Sequence, residues 1–113
     1  MQKPAGTLVV ANLNTGLQDL LKSENLLSNF CISITKPLGL SVLQVNVETF
    51  PPYNGISISA IISESSITLH TWPEIGYVRI LIDSCKGLNI KLAQGLIEDW
   101  FQPSDMDFTA YNW

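Results

Sequence analysis

The sequence predicts an α+β fold, a two-layer sandwich in which a mainly antiparallel sheet is covered on one face by two helices. Three observations carry this. Apolar and polar residues alternate at period two through Leu43–Glu48, Ile56–Ser63, Ile67–His70 and Tyr77–Cys85, as in strands with one buried face. Two stretches switch to helical spacing, through Leu27, Phe30, Cys31 and Ile34, and through Leu92, Leu96 and Trp100. Strands dominate, and two helices suffice to cover one face of their sheet.

Taken in order, Gly6 to Leu13 reads as a first strand that ends at the turn-prone Asn14-Thr15-Gly16. Leu17 to Leu21 is a short helical turn. Ser23 caps a helix from Glu24 to about Thr35, with the Glu24 carboxylate in the positive first turn. Pro37 and Gly39 end that helix. Cys31 lies on its apolar stripe and reads as core. Leu40 to Thr49 is a second strand, with Leu43, Val45 and Val47 on one face and Gln44, Asn46 and Glu48 on the other.

Phe50 to Gly55 is a loop with two prolines and an Asn-Gly turn signal. Ile56 to Ile62 is a third strand with Ile56, Ile58, Ala60 and Ile62 facing the core. A fourth strand begins near Ser65. The fifth spans Ile75 to Cys85, with Val78, Ile80 and Ile82 inward, and Lys86-Gly87 breaks it. Asn89 to Phe101 is the second helix, with Ala93 and Ile97 beside its Leu92-Leu96-Trp100 line, and Pro103 stops it. Asp107 to Trp113 alternates aromatic and polar residues as a last edge strand.

At 113 residues the chain reads as one domain, 1–113, without linker, repeat or low-complexity segment. A domain this small buries a modest share of its surface, so self-association would stabilise it. Apolar residues make up 46% and charged residues 14%, which suits a buried face shared between copies. The net charge is -4 and no basic run occurs, so nucleic acid and anionic membrane are not expected partners. No apolar run reaches the roughly eighteen residues that a spanning helix needs. The N-terminus lacks the apolar core of a signal peptide. Two cysteines make no disulfide framework, and the expected compartment is a reducing cytoplasm. No metal site is expected.

The chemistry concentrates in Ser63-Glu64-Ser65-Ser66-Ile67-Thr68-Leu69-His70-Thr71-Trp72-Pro73-Glu74, which contains the only histidine. Adjacent hydroxyls follow a carboxylate, and an imidazole lies near the end of the same strand. On spacing alone the ordinary reading is structural, since serines at a strand head bond nearby backbone groups. The alternative is acyl chemistry on the chain's own backbone, with the imidazole reaching the serine across a tight sheet.

The run SESSITLHTWPE resembles the processing-site signature of the pyruvoyl-dependent S-adenosylmethionine decarboxylases, of the small prokaryotic type. The likeness extends upstream to Phe50 and downstream through Gly76-Tyr77 to Asp83-Ser84-Cys85, about a third of the chain in all. The resemblance implies self-cleavage between Glu64 and Ser65 into chains 1–64 and 65–113. The Ser65 hydroxyl would attack the Glu64 carbonyl, and the resulting ester would eliminate to leave a pyruvoyl cofactor at position 65. A serine hydroxyl is a weak nucleophile and needs activation, and the tetrahedral oxyanion needs donors.

The resemblance assigns processing roles to His70, by proton transfer, and to Ser57, through its hydroxyl. The pyruvoyl carbonyl would form a Schiff base with the substrate amine and accept the electrons released with carbon dioxide. Cys85 matches the proton donor of turnover, Glu74 the acid that binds the ribose, and Phe50 the aromatic that stacks on adenine. Trp72 reads as packing. A homodimer of cleaved protomers, a small-molecule substrate and a place in spermidine biosynthesis follow by the same resemblance.

The chain also departs from the pattern. Leu8 stands where relatives carry a histidine and Asn12 where they carry an acid, Ser66 replaces the histidine after the processing serine, and Asn54 is an extra loop residue. The C-terminal part is shorter than typical. These departures touch substrate recognition more than cofactor formation. Two other readings therefore stand beside the first: a pyruvoyl decarboxylase of L-ornithine or L-arginine, and an unprocessed homologue that regulates an active partner. Retention of Phe50 and Glu74 weighs against the former. Retention of Ser57, Glu64, Ser65, His70 and Cys85 together weighs against the latter.

Overall fold

Each alternating stretch folds as a strand with its apolar set turned to one face. The computed structural model describes residues 1–113. Its elements are β1 (Thr7–Asn14), α1 (Glu24–Ser33), β2 (Val42–Phe50), β3 (Gly55–Ile62), β4 (Ser65–Trp72), β5 (Tyr77–Ser84), α2 (Ile90–Phe101) and β6 (Asp105–Asn112). Short 3-10 turns lie at Leu20–Lys22 and Pro73–Ile75. One six-stranded sheet runs in the order β2-β3-β4-β5-β1-β6, and every pairing is antiparallel. Both helices pack on the same face, so the α+β sandwich is the observed architecture. No helix is long and apolar enough to cross a membrane.

The connections explain the order. Strands β2 to β5 follow one another as hairpins. The β3–β4 turn is two residues long, because Ile62 pairs with Ser65. The β4–β5 turn closes at Gly76, whose φ of 64° and close approach to the Thr15 carbonyl both require the absence of a Cβ. Strand β1 enters between β5 and β6, pairing Ala11 with Ile80 on one side and with Phe108 on the other.

The covered face holds Val9, Ala11, Leu13, Ile56, Ile58, Ile62, Ile67, Leu69, Val78, Ile80 and Ile82, all buried. Leu27, Phe30 and Cys31 descend on them from α1, and Ala93, Ile97 and Phe101 from α2. Phe30 joins the two helices. Its ring lies 4.9 Å from Phe101 and 5.7 Å from Trp100, tilted edge contacts of the favourable kind. The expected cap forms, Ser23 Oγ accepting from the Leu26 N–H, and Asn89, read as the first residue of the second helix, instead caps it, its Oδ1 accepting from the Leu92 N–H.

Several boundaries and faces differ from the sequence reading. A register shift between Val42 and Gln44 turns Leu43 out to 69% exposure, away from Val45 and Val47, because a β-bulge interrupts the alternation there. Helix α1 ends at Ser33, where its last carbonyls turn to Ile34 and Thr35. In α2 the buried line is Ala93-Ile97-Phe101, and Leu92 stands at its margin, because small Ala93 lets the helix approach on that side. Strand β5 starts at Tyr77, since Ile75 belongs to the 3-10 turn. Strand β6 starts two residues earlier than expected, at Asp105, paired with Asn14.

Helix α2 ends on Gln102, held in the left-handed region at φ 46°. A side chain there costs about 1 kcal/mol that glycine avoids. Gln102→Gly should raise the thermal midpoint by roughly 4 °C, the shift expected for that energy in a chain of this size. Calorimetry showing no rise would mean that the cap carries no strain.

Candidate active site

The sequence-predicted residues fall into two groups at opposite ends of β4. The first group is built on the β3–β4 turn. Glu64 takes φ 58°, a left-handed conformation that a non-glycine residue adopts at a cost of about 1–2 kcal/mol. That places strain on the residue that supplies the carbonyl of the Glu64–Ser65 bond. The Glu64 carbonyl accepts a hydrogen bond of 2.6 Å from the Cys85 backbone N–H. Ser65 is half-buried, directly opposite Ser84 on β5. Its hydroxyl donates to Ser84 Oγ at 2.8 Å, and Ser84 is fully buried. The thiol of Cys85 belongs to an exposed residue.

The second group lines a cleft of about 330 Å³ at the far end of β4, beside the β2–β3 loop. Phe50, Tyr53, Ser57, His70, Trp72 and Glu74 contribute to its wall. Ser57 and His70 are cross-strand partners, with Ser57 Oγ 2.7 Å from His70 Nδ1. That contact orients the imidazole, with Trp72 tilted beside it at 6.3 Å between ring centroids. Glu74 is exposed on the Pro73–Ile75 turn, and Phe50 is 54% exposed. The cleft thus joins open aromatic faces, a free carboxylate and an oriented imidazole.

The two groups do not meet within one chain. His70 lies five residues beyond Ser65 on one uninterrupted strand, about 17 Å away at the usual rise. The odd spacing also turns the two side chains to opposite faces. The imidazole therefore does not reach the serine across its own sheet, as the sequence reading had it. Ser65, Glu64 and Cys85 are together; Phe50, Ser57, His70 and Glu74 are together.

Sequence reasoning missed the polar row on the uncovered face. Glu48, Ser57, His70, Arg79, Asn12 and Asp107 stand side by side across all six strands. Asn12 Oδ1 accepts from Arg79 Nη1 and from the Tyr77 hydroxyl, both at 2.8 Å. It keeps an acceptor for the guanidinium without supplying a charge. Each strand offers one member of this row, so no linear motif marks it. Ser84 was likewise invisible as a site residue, because only the β4–β5 register brings it to Ser65.

A model of the family described as S-adenosylmethionine decarboxylase matches residues 7–112. The chain is similar to the S-adenosylmethionine decarboxylase proenzyme of Thermodesulfovibrio yellowstonii, with 33% identity over 96 residues, covering 82% of this chain and 70% of that one. It is 38% identical over 65 residues to the proenzyme of Thermomicrobium roseum, covering 55% of this chain and 56% of that one. It is 31% identical over 80 residues to that of Caldicellulosiruptor saccharolyticus, covering 71% and 64%. The chain thus spans between about half and about two thirds of the length of these relatives. The fold matches the crystal structure of the adenosylmethionine decarboxylase from Aquifex aeolicus with a TM-score of 0.82, at 19% identity, covering 97% of this chain and 91% of that one.

The two thiols should react very differently. Burial pushes the Cys31 thiol up to about 12, so it carries almost no thiolate near neutrality. Cys85 is exposed. In native protein at pH 8 an alkylating reagent should label Cys85 alone, and both thiols only after denaturation. Native labelling of Cys31, read by peptide mass, would mean that the core opens easily. Because the folded value is raised, this group's contribution to stability is complete below pH 9.0, its ordinary value, and is lost as pH rises from there towards about 12.

Proposed function

The chain belongs to the S-adenosylmethionine decarboxylase family, and we propose that it cuts its own backbone between Glu64 and Ser65 and then decarboxylates S-adenosylmethionine, supplying the aminopropyl donor for spermidine. The carrying observation is the β3–β4 turn. There the carbonyl to be attacked sits on a strained residue, faces a backbone N–H at 2.6 Å, and is followed by a hydrogen-bonded serine hydroxyl.

Ser65 Oγ bonds to the Glu64 carbonyl carbon through a five-membered ring. The negative charge grows on the Glu64 oxygen, where the Cys85 N–H already points. The carbon–nitrogen bond then breaks, leaving an ester and a free amine on Ser65. Loss of the Ser65 α-proton expels the Glu64 carboxylate and leaves dehydroalanine. Water enters, ammonia leaves, and residue 65 ends as a pyruvoyl group. Strain at Glu64 favours the cut, because the freed terminus can relax its φ.

The surroundings fit such a group: a half-buried position, buried Ser84 opposite and the Cys85 backbone alongside. Its carbonyl would supply an electron sink as carbon dioxide leaves. Cys85 delivers the proton that replaces the lost carboxylate. In the cleft, the Phe50 face suits a purine and the Glu74 carboxylate suits vicinal ribose hydroxyls. Decarboxylation of L-ornithine or L-arginine is the second reading, favoured by the missing acid at Asn12. Against it, Asn12 is hydrogen-bonded to the cationic Arg79, which does not suit a cationic tail at that position.

The separation of the two groups supports a homodimer. The uncovered sheet face exposes Phe50, Ile61, Trp72 and Tyr111. A two-fold axis that reverses β4 against its mate brings the Glu64–Ser65 turn of one copy to the His70 cleft of the other. Such an interface contains each contact twice, and so two complete sites. The products of cleavage stay together, because β1 of chain 1–64 is paired on both sides with strands of chain 65–113, and β3 pairs with β4.

Intact mass spectrometry should find two chains split at Glu64/Ser65 in the wild type and one chain in Ser65→Ala. The two chains should co-elute in native buffer and separate in denaturant. A single full-length wild-type chain would leave the regulatory reading in its place. Cys85→Ala should still cleave but turn over ~10²–10⁴-fold more slowly, the usual loss of a positioned proton donor; wild-type turnover would return Cys85 to packing.

A mixing experiment tests the dimer. His70→Ala, uncut when expressed alone, should be cut when co-expressed with Ser65→Ala, whose His70 is intact. Failure to complement, in a mixture shown to form heterodimers, would place the whole processing machinery within one chain.

A further inference from the structure

We propose that Ser84 aims the nucleophile of self-cleavage, accepting a hydrogen bond from the Ser65 hydroxyl so that a lone pair of Ser65 Oγ is left for the Glu64 carbonyl. The inference rests on the self-cleavage reading above. It adds a residue on the covered side of the sheet, away from the His70 cleft.

Three features point to Ser84. It is the direct cross-strand partner of Ser65, and its Oγ is 2.8 Å from Ser65 Oγ, with Ser65 as donor. It is fully buried, so the contact does not compete with water. Its other acceptor position is taken by the Lys86 N–H at 3.2 Å, which fixes where the remaining lone pair points. Thr7, the opposite neighbour of Ser84 on β1, is committed elsewhere: its hydroxyl donates to Asn112 and accepts from the Leu88 N–H. Within the chain, Ser84 is the side chain that engages the Ser65 hydroxyl.

The geometry also explains why the register matters. The turn N–H that faces the Glu64 oxygen belongs to Cys85, the next residue along. Consecutive residues of one strand end thus address both reacting atoms. The side chain of Ser84 holds the nucleophilic oxygen, and the backbone of Cys85 holds the carbonyl oxygen. A hydroxyl does not ionise here, so Ser84 orients the nucleophile and carries no charge; the Ser65 hydroxyl proton ends on the Ser65 nitrogen as the carbon–nitrogen bond breaks.

The test follows chain cleavage, not decarboxylation. Wild type, Ser84→Ala and Ser84→Thr are produced as uncut chains under denaturing conditions and refolded, and cleavage is timed by intact mass. Ser84→Ala should cleave at least about tenfold more slowly, the factor carried by one well-placed hydrogen bond. Ser84→Thr, which keeps the hydroxyl, should cleave at close to the wild-type rate. A purely structural residue would not sort the variants by hydroxyl once melting of uncleavable Ser65→Ala versions shows all of them folded.

Hydroxylamine locates the step. It severs a backbone ester, so if Ser84 acts on ester formation, the reagent will not speed cleavage of Ser84→Ala. Cleavage of Ser84→Ala at the wild-type rate, no recovery in Ser84→Thr, or rapid scission of Ser84→Ala by hydroxylamine would each overturn the role of Ser84 alone. A wild-type chain that never cleaves would instead overturn the reading on which it rests.

Discussion

One backbone hydrogen bond ties the candidate chemistry to the fold. The Cys85 N–H reaches the Glu64 carbonyl at 2.6 Å, across the mouth of the β3–β4 turn. It exists only if β4 and β5 pair in the observed register, with Ser65 opposite Ser84. A slip of one residue would turn Ile67 and Leu69 to solvent, and the core prevents it. Packing of Ile67, Leu69, Ile80 and Ile82 under the helices therefore sets the position of a carbonyl oxygen at the end of the sheet. The stability of the core and the aim of the reacting groups are one constraint.

The two faces of the sheet divide the work. The covered face is apolar through its middle and polar at its ends, where Thr7, Ser65 and Ser84 adjoin in register at one end and Thr71 is buried at the other. The other face has no layer over it. It mixes exposed aromatics with the six-strand polar row, an unusual surface for a protein that buries so much on its opposite side. Polar groups that hydrogen-bond each other, such as Ser57 with His70 and Arg79 with Asn12, can be brought against a partner without being left unpaired. Such a face suits the interface and site wall proposed for it.

The Asn12 departure shows how an altered residue can keep a role in shape while losing it in charge. An acid there would neutralise Arg79. The amide keeps the two hydrogen bonds and leaves the guanidinium positive in the middle of the row. The consequence falls on recognition near the centre of the uncovered face, distant from the Glu64–Ser65 turn. This is the physical reason that the change at Asn12 leaves the Glu64–Ser65 turn untouched.

Much of the molecule was legible in one dimension. Alternation at Ile56–Ile62 and Val78–Ile82 marked the buried faces of β3 and β5, because period two is a local property of extended chain. Ser23 announced its helix, because a cap acts over three residues. SESSITLHTWPE marked the candidate site, since the proposed attack on a neighbouring carbonyl needs only adjacent residues. What involves two distant segments was not legible. The bulge at Leu43, the depth of Ala93 against the sheet and the entry of β1 between β5 and β6 depend on partners far along the chain. The separation of Ser65 from His70 was settled by the uninterrupted run of β4, and the meeting of Ser65 with Ser84 by strand register. Local chemistry is written in sequence neighbours, whereas distances between functional groups are decided by packing, which the chain acquires only when the sheet closes over its core.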